Sequence, residues 1–274
     1  MTAFEGELPD PSEALLGAAI PGSLVKLAVK LANAVQPIAL KYFRSDLAVH
    51  SKRDLSPVTI ADKEAEAAMR ALIQKTFPAH GIFGEEHGSY QTDAEYVWVL
   101  DPIDGTQAFV TGKPIFGTLI ALLRNGDPIL GVMDMPALQE RWVGAIGRPT
   151  TFNGQPVKTR AGADLSRAWL YATSPQMFPG SDFEAFERLR RSCRRAIYGA
   201  ECEAYGLLAN GTVDLVCEST MQPYDYCALV PIVTGAGGVI TDWQGQPLGL
   251  QSDGRVLAAG DARMHAAAMT ILAG

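Results

Sequence analysis

Trp98-Val99-Leu100-Asp101-Pro102-Ile103-Asp104-Gly105-Thr106 is the segment on which the fold turns. With Tyr96 and Val97 in front of it, it forms an apolar run of strand length that stops at an acid, Asp101. Open α/β sheets place their ligands at the C-terminal ends of strands. Pro102 stiffens the next step. Asp104 follows so closely that both carboxylates can turn towards one point. Adjacent carboxylates raise each other's pKa unless a cation neutralises them. A hard divalent metal held by oxygen ligands supplies that neutralisation. Gly105 and Thr106 then offer backbone N–H groups at a predicted helix start, an arrangement that receives phosphate oxygens. Taken alone, Asp104-Gly105 also reads as an ordinary turn and Asp101 as a helix cap.

Upstream, the pattern is helical from about Ser12 to Phe43, with Pro21 and Pro37 breaking or kinking the run. Leu55 to Thr59 reads as a short linker, and Asp62 opens a helix. Ala65, Met69, Ile73 and Phe77 lie on one face of that helix, with charges filling the other. Gly81 to Gly84 is a short strand. Downstream, Asn125-Gly126 between the apolar runs Phe116–Arg124 and Pro128–Met133 predicts a hairpin. Strands are expected at 141–145, 169–173, 213–217, 239–243 and 256–259. Helices are expected at 182–192, 205–209 and 226–233 and from Ala262 onwards. This alternation implies a layered α/β architecture. A soft boundary near Arg148 to Asn153 gives an N-terminal lobe, 1–148, and a C-terminal lobe, 149–274, sharing one cleft.

The 274 residues are 47% hydrophobic, enough for a substantial core and against disorder. The formal net charge of −7 argues against nucleic acid as partner, because backbone phosphates demand a basic face. Cys193, Cys202, Cys217 and Cys227 show no C-x-x-C spacing, so a zinc site is not expected and free thiols are. The start, MTAFEGELPDPSEALL, is acidic, unlike a secretory signal. No uninterrupted apolar run approaches the ~20 residues of a membrane span. A soluble cytoplasmic protein is expected.

Two further segments carry acids. Gly84-Glu85-Glu86-His87-Gly88 follows a short strand, and its glutamates suit metal ligation or a solvated loop equally. Gln222-Pro223-Tyr224-Asp225 precedes an apolar helix, so Asp225 reads as a helix N-cap or as a metal ligand. Gly235 to Gly238 follows a helix and precedes a strand, the reverse of a phosphate loop, and reads as a helix stop. Paired acids also serve glycoside hydrolysis, which needs no metal.

Together these segments resemble the inositol monophosphatase family of lithium-sensitive, magnesium-dependent phosphatases. The family signature W-x-[IVL]-D-P-[IL]-D-G-T is matched by Trp98 to Thr106, and its G-E-E loop by Gly84 to Glu86. Its W-D-x-A-[AG]-x-x-[IL] helix start and following E-[AS]-G-G are matched by Tyr224 to Ile232 and Thr234 to Gly238. Tyr224 and Thr234 depart from the usual Trp and Glu, at positions that hold no metal in the family. The resemblance covers about residues 20 to 274.

It implies an α+β N-terminal metal-binding lobe and an α/β C-terminal substrate lobe in a layered αβαβα sandwich, and a homodimer. It also implies about two or three Mg2+ ions per active site. Glu85, Asp101 and the Ile103 carbonyl would hold the first ion, and Asp101, Asp104 and Asp225 the second. Asp62 and Thr106 would orient the attacking water, and with Glu85 make the catalytic set. The N–H groups of Gly105 and Thr106 would bind phosphate, beside Asp104 and Asp225.

Finer likeness points to the histidinol-phosphate phosphatases of this family. It lies in Leu55 to Asp62, Asp101 to Phe109, Thr111 to Pro114, Tyr198 to Tyr205 and Gln222 to Asp225. The expected reaction is then hydrolysis of histidinol phosphate to histidinol. The alternative is an inositol-1-phosphate or broad sugar-phosphate phosphatase. Histidinol phosphate carries an ammonium and an imidazole, so its pocket should offer acids. Glu201 and Glu218 are the candidates; both also read as surface salt-bridge partners.

Overall fold

A computed structural model describes residues 20–45, 50–51, 57–58, 60–162 and 164–274. The expected helix start at Ser12 lies outside these residues, as does most of the 55–59 linker. Helix α1 (Gly22–Tyr42) begins directly after Pro21 and runs through Pro37 as one helix. It is the described helix long and apolar enough to cross a membrane, with mean hydropathy 1.2 over its best window. Lys26 and Lys30 interrupt the run, so inspection for an unbroken apolar stretch passes over it. Half of that window is buried inside the protein, as in a core helix.

A small ladder, β1 (His50–Ser51) with β2 (Pro57–Val58), leads to α2 (Ile60–Thr76). There follow β3 (Gly81–Gly84), β4 (Gly88–Tyr90), β5 (Tyr96–Asp104), α3 (Thr106–Val110), β6 (Gly117–Arg124), β7 (Asp127–Met135), β8 (Glu140–Ala145), β9 (Thr151–Phe152) and β10 (Gln155–Pro156). The second half comprises β11 (Trp169–Ala172), α4 (Ser181–Ser192), β12 (Arg195–Tyr198), α5 (Glu203–Ala209), β13 (Leu215–Glu218), α6 (Pro223–Tyr226), α7 (Leu229–Gly235), β14 (Val239–Thr241), β15 (Val256–Ala259) and α8 (Ala262–Ala273).

An eight-stranded sheet has the order β10-β9-β8-β7-β6-β5-β3-β4, and a five-stranded sheet the order β12-β11-β13-β15-β14. Alternation along β5 explains the layering. Trp98 and Leu100 join the core formed with α1 and α2, through Leu31, Met69 and Ile73. Val97 and Val99 point the other way, into the core shared with α5, α7 and the five-stranded sheet. Leu170, Leu215 and Leu257 cover the far face of that sheet together with Phe186 of α4 and Ala268 of α8. The layers run α, β, α, β, α, as expected.

Two glycines let α7 lie directly on the large sheet. A Cβ on Gly131 would sit 2.8 Å from the Ala228 carbonyl carbon, and one on Gly144 would sit 2.5 Å from Ile232 Cα. Asn125 and Gly126, with φ of 52° and 93°, close the β6–β7 hairpin as expected. The strand β12 was not foreseen. It is a half-exposed edge strand of sequence RAIY, without a clear apolar alternation.

Candidate active site

Strand β5 continues to Asp104 rather than stopping at Asp101, and the continuation is irregular. Asp101 pairs with Leu119 and Asp104 with Gly117, so β5 holds one residue more than β6 over this stretch. In a regular strand two residues three apart point to opposite faces. The bulge resets the alternation. Ile103 then enters the α1–α2 core, and Asp101 and Asp104 share the opposite side.

Asp225 arrives from α6. It is not the N-cap of that helix. Gln222 is the N-cap, and Asp225 closes a capping box by accepting the Gln222 N–H at 2.6 Å. Ligand oxygens of Asp101, Asp104 and Asp225 all lie within 4.8 Å of one another. Strand β3 runs parallel to β5, with Gly84 beside Leu100, and so delivers Glu85 to the same end. The Phe83 and Tyr224 rings stack at 6.3 Å, which links the Glu85 loop to the Asp225 segment. Asp62, the third residue of α2, is buried, and its charge bears on Asp101.

The electrostatics call for a cation. Burial holds the Asp101 carboxyl well above the usual carboxylate range, and Glu85, Asp104, Asp225 and Asp62 push it further. Burial and Asp104 do the same to Asp225, against the opposing Gln222 N–H. Burial also raises Asp104, although the Cys202 N–H, donating at 2.9 Å, draws it back. Asp101 Oδ1 is buried and accepts no hydrogen bond. An oxygen-only donor set with an orphaned buried carboxylate oxygen fits a hard divalent cation.

Gly105 takes φ 77°, and Thr106 begins α3 with its hydroxyl donating to the Ile103 carbonyl at 3.1 Å. Helix α3 has only five residues, so any anion attraction comes from individual N–H groups rather than a macrodipole. A Cβ on Gly105 would stand 2.9 Å from Glu201 Cγ, so the Glu201 side chain lies against this turn.

Beside the acids opens a cleft of about 150 Å3, lined by Asp104, Asp225, Glu201, Glu218, Tyr205 and Met221, among others. Glu218, at the end of β13, is buried and accepts the Thr173 N–H at 2.7 Å and the Tyr205 hydroxyl at 2.8 Å. It is therefore a fixed wall and not a surface salt-bridge partner. Burial raises its carboxyl and those two donors lower it. Glu201 has the left-handed φ of 50°, and burial beside Asp104 and Glu218 pushes its carboxyl up to about 8, with Lys113 opposing.

Several contributors escaped the sequence reading: the Cys202 N–H, Thr173, Tyr205, and above all Glu66, buried on α2. Spacing gave one signal for the last of these. Glu66 is one turn beyond Asp62 and adjoins the Ala65–Met69–Ile73 stripe.

The inositol monophosphatase family profile matches residues 22–273. Over 251 residues the chain is 49% identical to the bifunctional phosphatase IMPL2, chloroplastic, of Arabidopsis thaliana, covering 88% of this chain and 72% of that protein. It is 35% identical over 237 residues to a histidinol-phosphatase of Chlorobaculum parvum, covering 85% and 91%. The structure of an inositol monophosphatase from Zymomonas mobilis matches with TM-score 0.87 and 44% identity, covering 94% of this chain and 100% of that one. With a carboxylate cluster at the bulged end of β5 and this likeness over nearly its whole described length, the chain belongs to the inositol monophosphatase family of metal-dependent phosphatases.

Proposed function

We propose that the chain is a magnesium-dependent phosphomonoesterase that hydrolyses histidinol phosphate to histidinol and phosphate. In this reading Glu85, Asp101 and the Ile103 carbonyl hold one ion, and Asp101, Asp104 and Asp225 a second. When bound, magnesium supplies the positive charge that neutralises a dianionic ester and acidifies water for attack. The chain does the rest. Asp62 and the Thr106 hydroxyl orient the attacking water, and the Gly105 and Thr106 N–H groups receive phosphate oxygens. Water adds to phosphorus as the ester P–O bond breaks; one proton of that water ends on the departing alcohol oxygen and its hydroxyl stays on the phosphate.

The observation that carries the substrate choice is the acid wall of the cleft. Glu201 and Glu218 face it beside Asp104 and Asp225. Burial beside Asp104 and Glu218 raises the Glu201 carboxyl. An ammonium or imidazolium placed there draws the carboxyl into its charged form, a gain no neutral polyol receives. The histidinol-phosphatase name of the Chlorobaculum parvum relative supports this choice. The Zymomonas mobilis likeness favours a second reading, inositol 1-phosphate. The absence of disulfides among the four cysteines suits a cytoplasmic setting. The family resemblance suggests a homodimer of two-lobed subunits sharing a cleft.

Glu201→Gln tests the wall. A lost charge-assisted hydrogen bond is worth about 1.5–3 kcal/mol, so KM for histidinol phosphate should rise about tenfold or more. The kcat, and KM for inositol 1-phosphate, should stay within about twofold. Equal rises for both esters would remove Glu201 from substrate selection.

A further inference from the structure

Glu66 has no surface role. It is fully buried on α2. A buried carboxylate is expensive unless its oxygens are satisfied. Here Oε1 accepts from Arg70 Nε at 2.7 Å, one turn along the same helix, and from the His87 N–H at 3.0 Å. Oε2 accepts the Glu86 N–H at 2.6 Å. The two backbone donors are the residues immediately after Glu85. Arg70 Nη2 also donates to the Gly88 carbonyl. Gly84 and Gly88 are paired across the β3–β4 turn, so both ends of the turn are held from one helix.

The first glycine of Gly-Glu-Glu has its explanation here. A Cβ on Gly84 would lie 2.6 Å from Glu66 Cδ and 2.8 Å from Arg70 Nη2. Only a residue without a side chain lets the carboxylate reach past it to the next amides. The same helix carries Asp62 one turn before Glu66. Helix α2 therefore fixes two groups at once: Asp62 directly, and Glu85 through the Glu66–Arg70 clamp.

We propose that Glu66 is a positioning residue that sets the affinity of the Glu85 side of the site for a divalent cation. It touches neither the ion nor the substrate. It holds the turn so that Glu85 enters the acidic cluster without a search, and releasing the turn makes binding pay an ordering entropy it otherwise avoids. The inference rests on the reading of Glu85 as a metal ligand.

The test uses the full chain, Mg2+ alone as the probe, and Glu66→Gln, which keeps the shape but replaces one acceptor with a donor. Outer-shell substitutions of this kind typically cost about 10–100-fold in metal affinity. Calorimetric titration without substrate should show Mg2+ affinity weakened by about tenfold or more. In the metal-free protein, exchange of the Glu86 and His87 amide hydrogens should accelerate by about tenfold or more, because their buried acceptor is compromised. At saturating Mg2+, kcat should return to within about threefold of the parent, since nothing that touches substrate has changed. Parent-like Mg2+ affinity in Glu66→Gln would overturn the inference, and so would parent-like amide exchange. If Glu66→Gln fails to fold, Gly84→Ala reaches the same contact from the other side and should weaken Mg2+ in the same way; unchanged affinity there is equally fatal. Glu85→Gln separates the two readings. If it leaves the parent's Mg2+ affinity intact, Glu85 is not a ligand and the underlying assignment fails; if it abolishes binding while Glu66→Gln does not weaken it, only the clamp fails.

Discussion

Gly131 lies on the central strand β7, buried against the segment that joins Asp225 to α7. Replacing it with alanine introduces a Cβ only 2.8 Å from the carbonyl carbon of Ala228 and 2.9 Å from Pro231 Cγ. Comfortable carbon contacts need about 3.5–4.0 Å, and the Ala228 carbonyl oxygen lies nearer than its carbon, so Ala228 must retreat by more than about 1 Å. In an open strand, glycine to alanine gains about 0.5–1 kcal/mol by restricting the unfolded chain. Here overpacking of a close-packed core, about 1–3 kcal/mol, outweighs it because the obstructing atom is backbone. With a net loss of roughly 1–2.5 kcal/mol, Gly131→Ala should lower Tm by about 2–10 °C, at roughly 2–4 °C per kcal/mol for a chain of this size. Ala228 is three residues beyond Asp225, so the same shift displaces one member of the acidic cluster. A misplacement of about 1 Å can cost on the order of a hundredfold in rate. Thermal unfolding and phosphate release at saturating Mg2+ measure the two effects. A variant with parent Tm and activity within threefold would refute the claim that α7 is docked through this contact.

Two other outcomes are expected from groups elsewhere in the fold. His80 stacks on Phe77 at 4.6 Å and accepts the Trp98 indole N–H at 3.1 Å, and burial depresses its pKa. Its contribution is complete above the unfolded value of about 6.5 and is lost as pH falls below it, so His80 adds a downward slope to Tm from pH 7.5 to 5.5, against the raised Asp101, Asp225 and Glu201 carboxyls, which gain stability as pH falls. His80→Gln, which retains an acceptor, should flatten that slope; an unchanged slope would show that His80 is not the group responsible. Tyr205→Phe removes one of the two hydrogen-bond donors to the buried Glu218 carboxylate, the hydroxyl at 2.8 Å. A hydrogen bond to a charged group is worth about 1.5–3 kcal/mol, so Tm should fall by several degrees, and an unaltered Tm would mean that another donor compensates.

The sequence made the apolar half of the fold legible and hid its irregularities. Tyr96 to Leu100 announced a strand by composition, and Asn125-Gly126 announced its hairpin by turn chemistry. The apolar run reads as stopping at Asp101, yet β5 runs on through Pro102, since proline is tolerated at bulges, and β5 bulges between Asp101 and Asp104. That bulge, not helix capping, aims the two acids together. The helix expected over 226–233 is two short helices, α6 and α7. Pro223 starts the first at its opening position, and Pro231, which has no N–H, falls in the first turn of the second. Glu66 is one of several charges on α2, and composition alone cannot tell a solvated glutamate from one turned inward onto backbone amides. Glu201 could be named as an acid near the substrate, but its left-handed backbone and its place against Gly105 depend on a loop conformation that no periodicity encodes.

The central claim joins a metal-dependent phosphatase site to an acid-walled cleft that selects a cationic ester. It is tested most directly by competition in one vessel. Equimolar histidinol phosphate and inositol 1-phosphate are offered to the protein with Mg2+, and the ratio of histidinol to inositol formed early in the reaction gives the ratio of kcat/KM values. If the cationic ester gains even one charge-assisted hydrogen bond, worth about 1.5–3 kcal/mol, histidinol should lead by more than about tenfold, and chelation should stop both reactions. Equal yields, an excess of inositol, or turnover that survives chelation would contradict the account.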